Sequence, residues 1–149
     1  MATIEKAMES DIPALNTLLS LLFTQEAEFS PNTEAQTKGL LTIIQNPELG
    51  MILVFREEDE IWGMVNLLFT ISTALGEKVA LLEDMIVLSK ARGMGIGSQL
   101  LSHAISFAQD QRCKRITLLT DRNNHQAQQF YVKHGFTASE MVPYRLLLT

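Results

Sequence analysis

Three of the chain's eight glycines fall within five residues, in the run Arg92-Gly93-Met94-Gly95-Ile96-Gly97. The stretch before it has the composition of an apolar strand, and the stretch after it, to about Gln111, has the spacing of an amphipathic helix. A strand-to-helix turn so rich in glycine marks a place where main chain closely approaches a ligand. Without Cβ atoms, positive φ is open and successive amides can turn the same way, while the helix adds the positive end of its dipole. A phosphate or pyrophosphate suits such a site, and Arg92 supplies a cation that can bond it through two parallel N–H groups. A plain strand-to-helix turn is the alternative.

Spacing excludes two familiar loops. A Rossmann loop reads G-x-G-x-x-G early in a βαβ unit, with an acidic residue about 20 positions on, whereas here the spacing is G-x-G-x-G. A Walker loop needs a lysine before its Ser or Thr, and Gly97-Ser98 has none.

The remaining chain reads as alternating short elements. Residues 2–8 suggest a strand. Ser10-Asp11-Ile12-Pro13 combines cap-type residues with a proline tolerated in a first helical turn, and Leu15, Leu18, Leu19 and Leu22 recur at threes and fours, which predicts a helix to about Thr24. The polar stretch 25–32 is a candidate substrate loop ahead of a second helix over about 33–45. Residues 51–56 and 61–70 are strand candidates joined as an antiparallel hairpin at Glu57-Glu58-Asp59-Glu60. Strands are expected over 78–88 and, buried, over 115–120. A helix over about 124–133 ends at Gly135, and the last fifteen residues are expected to supply one or two further strands. The order β-α-α-β-β-β-α-β-α-β is that of an α+β fold, a mixed, mostly antiparallel sheet flanked by helices, and 149 residues fit one domain.

Two further constellations carry chemistry. Asn124, Ala127 and Tyr131 span about two helical turns, so they share one face and can address one ligand, with Gly135-Phe136 following. Asn124 either caps its helix or contacts that ligand. In Leu82-Glu83-Asp84-Met85-Ile86-Val87 two adjacent carboxylates interrupt an apolar strand, where alternation sends only one of them toward any given face.

The Arg-Gly-x-Gly-Ile-Gly run, followed by Asn-x-x-Ala-x-x-x-Tyr-x-x-x-Gly-Phe, resembles the coenzyme A signature and second motif of the GNAT N-acetyltransferases. The opening stretch Ile4–Leu22 is similar too, so the resemblance covers nearly the whole chain. From Gly63 through Glu83-Asp84 to Gly97-Ser98 the chain looks most like the diamine (spermidine/spermine) acetyltransferases, although the aromatic residues those enzymes carry near Thr73-Ala74 are absent. The resemblance implies a GNAT fold, acetyl-CoA as donor, and a homodimer. It implies that Arg92, Gly93, Met94, Gly95, Ile96, Gly97 and Ser98 hold the pyrophosphate, with Asn124 and Tyr131 also at the cofactor. The strand backbone at Met85, Ile86 and Val87 would pair with the pantetheine arm. Glu83 would contact the amine and Tyr131 would be the acid.

The chemistry gives a reason for these residue types. A primary amine of pKa near 10.4 is free base in only about one molecule in 2,500 at neutral pH, so the enzyme must bind the cation and take its proton. Glu83 is the candidate base, directly or through a water chain. The departing thiolate resembles that of a cysteine, with pKa about 8.5, and a tyrosine near 10 can protonate it with little mismatch. A backbone amide near Ile86 or Val87 would hold the oxyanion.

The net charge of −5 argues against a nucleic-acid or anionic-membrane binder and favours cationic substrates. Glu26, Glu28 and Glu34 around the substrate loop, with Glu83 and Asp84, lean toward a small polycation; a phosphonate would instead want cationic residues there, and Lys38 is the only one nearby. Cys113 stands alone, without an internal disulfide partner, and a reducing, cytoplasmic setting is the simplest expectation. None of His103, His125 and His134 has metal-ligand spacing to another. The N-terminus has no signal-like apolar core, and no run approaches the roughly 18 apolar residues of a membrane span. Taken with these features, the resemblance implies acetyl transfer onto a primary amine of a small molecule. A protein or peptide acceptor, or a non-catalytic acyl-CoA sensor, are the alternatives.

Overall fold

The computed structural model describes residues 1–26 and 29–148, in two compact units, Met1–Leu119 and Thr120–Thr149. The first unit is built on one sheet. Strands β1 (Ala2–Lys6), β2 (Gly50–Glu57), β3 (Glu60–Ser72), β4 (Glu77–Val87) and β5 (Ile116–Leu118) lie side by side in chain order. The first three pairings are antiparallel, and β4 with β5 is parallel. A parallel pair needs a crossover, supplied here by the helix α3 (Ile96–Asp110).

Helices α1 (Ile12–Gln25) and α2 (Thr33–Gln45) begin where the caps and prolines predict. The leucine repeat of α1 delivers Leu15, Leu18 and Leu19 into a core with Leu40 of α2 and with Ile52, Val54, Met64 and Ile86 of the sheet. The α2 N-cap, Asn32, accepts from the Ala35 N–H at 3.1 Å. Buried Gln36 donates to Asn16 Oδ1 at 3.1 Å, and Asn16 donates to Thr37 Oγ1 at 2.8 Å, which pins α2 to α1. Asp11 occupies the cap position of α1 but caps nothing there. Its Oδ2 accepts from the Met8 N–H and from Arg56, each at 2.9 Å, tying the helix start to β2.

Ile96, Leu100, Leu101, Ala104 and Ala108 form the buried face of α3. A Cβ on Gly63 of β3 would stand 2.9 Å from Leu100 Cδ1 and 3.2 Å from the Ile86 carbonyl oxygen, so glycine there lets α3 settle onto the sheet. The β2–β3 connection narrows to Glu58-Asp59, with Glu57 paired to Glu60 and Glu58 at φ 56°.

Two expectations are corrected. The strand expected over 115–120 covers only Ile116–Leu118 and is half-buried, because its pairing ends at Leu82↔Leu118, just before β4 bulges and bends away. No strand forms in residues 136–148, so the final β of the expected order is missing among the described residues. A strand needs an edge to receive its hydrogen bonds, and Pro143 removes a donor. In the second unit Met141, Tyr144, Leu146, Leu147 and Leu148 stand 83–95 % exposed. That unit otherwise consists of α4 (His125–Lys133) and its flanks.

Candidate functional site

The regular pairing of β4 fails once, at its carboxylates. Met64 pairs with Ile86 and Asn66 with Glu83, so Asp84 and Met85 together oppose Val65. This is a two-against-one bulge, and Asp84 takes φ 20° within it. Strict alternation is thereby broken. Glu83 is exposed in the regular strand, while Asp84 is half-buried and accepts from Asn66 Nδ2 at 3.3 Å.

Sequence reading missed Asn66, for which no motif speaks. The available signal was a lone amide inside the apolar run Gly63-Met64-Val65-Asn66-Leu67-Leu68. Asn66 is 3 % exposed, and its Oδ1 is buried with no hydrogen-bond partner. An unmet buried acceptor costs about 1–3 kcal/mol, and in a native protein it asks for a reason. Burial pushes the Asp84 carboxyl above the ordinary carboxylate range, while the Asn66 amide and the residue's own backbone N–H pull the other way.

From the bulge the chain runs without interruption to the glycine loop. Met85, buried-side Ile86 and Val87 end β4, and Val87 lies five residues before Arg92, whose Nε donates to the Val87 carbonyl at 3.4 Å. Two buried residues anchor the loop, Ala91 at 1 % and Ile96 at 3 % exposure, and Arg92–Gly95 between them are exposed. Gly93 and Gly95 take φ 80° and 78°. Gly95 is the N-cap of α3 without a side-chain cap, and the first-turn N–H groups of any helix lack intrahelical partners. Gly97 and Ser98 continue the first turn, half-buried. Loop and helix end together can therefore present several donors to an anion.

The second unit explains its own motif. Asn124 Oδ1 caps α4 by accepting from the Ala127 N–H at 3.1 Å. At the other end Gly135 takes φ 97°, its N–H reaching the Val132 carbonyl and the Phe136 N–H the Tyr131 carbonyl, both at 3.0 Å. That is a Schellman closure, with its usual apolar contact between the second residue past the end and the third residue inside. The Phe136 ring stands edge-on to Tyr131 at 5.7 Å, and Phe130 flanks it at 5.3 Å. Gly135-Phe136 thus fixes the tyrosine ring.

The structure gathers Glu83 to Val87 and Arg92 to Ser98 on one strand-turn-helix of the first unit, while Asn124 and Tyr131 belong to the second. Glu28 lies outside the described residues. Beyond the strand, Ala35, Lys38, Gly39, Thr42 and Ile43 of α2 with Leu49, Leu68 and Phe69 line an open, mostly apolar groove of about 630 Å³. Leu68 is two residues along β3 from Asn66, on the same side of the sheet. Burial pushes the Cys113 thiol up, opposed by Lys78, which makes it a poor nucleophile. Among the described residues no helix is long and apolar enough to cross a membrane, and no cluster could hold a metal ion.

The profile of the Acetyltransferase (GNAT) family matches residues 13–136. The chain is 31 % identical over 136 residues to YhfO of Bacillus subtilis (strain 168), described as an uncharacterized N-acetyltransferase, covering 89 % of this chain and 88 % of that one. It is 24 % identical over 136 residues to the aminoalkylphosphonate N-acetyltransferase of Salmonella typhimurium, covering 91 % and 85 %. The crystal structure of a protein described as a transcriptional regulator from Bacillus halodurans C-125 superposes with a TM-score of 0.85 at 30 % identity, over 99 % of this chain and 100 % of that one.

Proposed function

The chain belongs to the GNAT family of acetyltransferases, and from that premise we propose that it moves an acetyl group from acetyl-CoA directly to the primary amine of a small molecule. The observation that carries this reading is the continuous run from the β4 carboxylates through Val87 to a solvent-facing loop with two positive-φ glycines at an uncapped helix start. On this reading residues 1–149 act as one domain, in the cytoplasm and as a homodimer.

The loop amides from Gly93 to Ser98, with Arg92, bond the pyrophosphate of the donor. The main chain of Met85, Ile86 and Val87, which leads from the β4 bulge toward the glycine loop, receives the pantetheine arm. One of these amides holds the oxyanion that forms when the amine attacks the thioester carbon. The Asn124 contribution to donor binding is indirect, through the helix start it caps. Glu83 and Asp84 receive the cationic amine and its proton, and Tyr131, its ring fixed by Phe130 and Phe136, protonates the departing thiolate. Direct transfer is in keeping with Cys113, the chain's one thiol, which burial pushes away from the reactive thiolate form.

Two features bear on the acceptor. The carboxylate pair favours a cation, and Lys38 on the groove wall favours an acceptor with an anionic far end, in keeping with the phosphonate substrate of the Salmonella relative. Thiol release from acetyl-CoA is the test, run with polyamines, amino acids, aminoalkylphosphonates, aminoglycosides and a peptide N-terminus. Turnover with one small-molecule class supports the reading. Turnover with the peptide alone moves it to a protein acceptor, and coenzyme A binding without any turnover moves it to a sensor.

A further inference from the structure

Resting on the amine transfer proposed above, we propose that Asp84 takes the proton from the acceptor amine. We further propose that Asn66 is its positioning residue, turning its side-chain amide to serve the carboxyl both before and after the proton arrives.

The geometry separates the two neighbouring carboxylates. Glu83 sits exposed on the regular part of β4. Asp84 stands on the bulge, half-buried, its Oδ2 3.3 Å from the amide of a side chain that is itself 3 % exposed. Two helices pack against this strand: α1 has no ionisable residue along Ile12–Gln25, so its face offers Asp84 no counter-charge, and on α3 the titratable His103 and Asp110 are both exposed. On β3 the neighbour is Asn66, and on β4 it is Glu83. A carboxylate in such surroundings is a stronger base than one in water, in keeping with the upward push that burial gives Asp84.

Asn66 accounts for its own orphan atom on this reading. With Asp84 ionised, Nδ2–H donates to the carboxylate and Oδ1 has nothing to accept. Once the carboxyl carries a proton, a half-turn of the amide about its Cβ–Cγ bond brings Oδ1 round to accept the new O–H. The acceptor idle in one state is the one required in the other.

The step balances. An ammonium N–H bond breaks and an O–H bond forms on Asp84. The freed nitrogen lone pair attacks the thioester carbon, and the C–S bond breaks as the intermediate collapses. The nitrogen loses a second proton, matched by the one delivered to the thiolate, and Asp84 returns its proton to water. Each turnover yields one amide, one thiol and one solvent proton.

The experiment measures thiol release across pH with the amine that turns over, comparing wild type with Asp84→Asn, Asn66→Leu and Glu83→Gln. Asp84→Asn is expected to lower kcat about 10²- to 10⁴-fold near neutrality and to abolish the acid limb of the kcat/KM profile. Its deficit should shrink about tenfold per pH unit as the amine approaches its own pKa near 10.4 and deprotonates unaided. Asn66→Leu should move the acid limb to higher pH, because its hydrogen bond holds the carboxyl down, which a purely structural role would not do. Glu83→Gln should raise KM and keep the limb. A second readout needs no substrate: ¹³C NMR of the side-chain carboxyls in the full chain should show one group titrating above the rest, absent in Asp84→Asn and displaced in Asn66→Leu. Wild-type turnover with Asp84→Asn unimpaired, or the limb lost in Glu83→Gln instead, overturns this proposal alone. Absence of turnover with every amine overturns the transfer reading and this one with it, and an Asp84 carboxyl titrating in the ordinary range overturns the pairing whatever the substrate.

Discussion

Glycine to alanine should have opposite effects at two positions of this chain, for reasons that steric space does not supply. At both Gly39 and Gly95 an added Cβ meets nothing within 4 Å. Gly39 lies inside α2 on its exposed side, where alanine is favoured over glycine by about 0.8–1.0 kcal/mol. Gly95 holds φ 78° at the start of α3, a conformation that costs an L side chain roughly 1–2 kcal/mol. The stiffer unfolded chain returns about 0.4–1 kcal/mol of that, so Gly95→Ala should destabilise by about 1 kcal/mol. The two variants should then differ by about 2 kcal/mol, on either side of wild type, in urea unfolding at 25 °C. Gly95→Asn should lose less than Gly95→Ala, since asparagine tolerates the left-handed region. The same Gly95→Ala variant should bind coenzyme A more weakly by calorimetry, because relieving its strain turns the loop amides. If Gly95→Ala proves as stable as wild type, the loop does not require a left-handed residue there, and the anion-binding argument loses its backbone basis.

Other consequences can be checked in the same way. Because burial raises the Asp84 carboxyl in the folded state, its contribution to stability is present below the ordinary value of 3.8 and is lost as pH rises through the folded pKa. Asp84→Asn should therefore be more stable than wild type near neutrality, the gap in urea midpoints widening as pH rises from about 4. Asp11→Ala removes one partner of the Arg56 ion pair and the acceptor of the Met8 N–H; with Glu5 still 3.0 Å from Arg56, the loss should be about 2–3 kcal/mol, below that of a fully buried pair. Tyr131→Phe keeps the ring packing, so steady-state kinetics should show kcat reduced about 10²-fold or more while coenzyme A affinity holds.

Much of this architecture was legible because its signals are local. The leucine spacing and opening proline of α1, the acidic turn of the β2–β3 hairpin and the glycine loop each depend on neighbours within a few residues, and each element formed where expected. Asn124 also carried a local signal, and of its two readings the cap is the one the structure displays. What stayed hidden depends on pairing across the sheet. Nothing in Leu82–Val87 announces that Asp84 and Met85 will share one partner residue, since that follows from how β3 lies beside β4. Asn66 and Arg56 gain their meaning from residues 18 and 45 positions away. The error at the C-terminal end has the same root, because whether a strand forms there depends on an edge elsewhere in the fold being there to receive it.

The bulge in β4 also acts as a phase shift. Before it, the odd-numbered Val79, Leu81 and Glu83 share the sheet face of Asn66 and Leu68; after it, the even-numbered Ile86 and Leu88 reach that same face and join the core beneath α1. The strand behaves as two rulers laid end to end with half a period between them. Side chains along it can be exchanged one at a time, each at its own local cost. The count of residues between Glu83 and Ile86 cannot change by one without turning a whole half-strand inside out, so single-residue deletions there should be far less tolerated than substitutions.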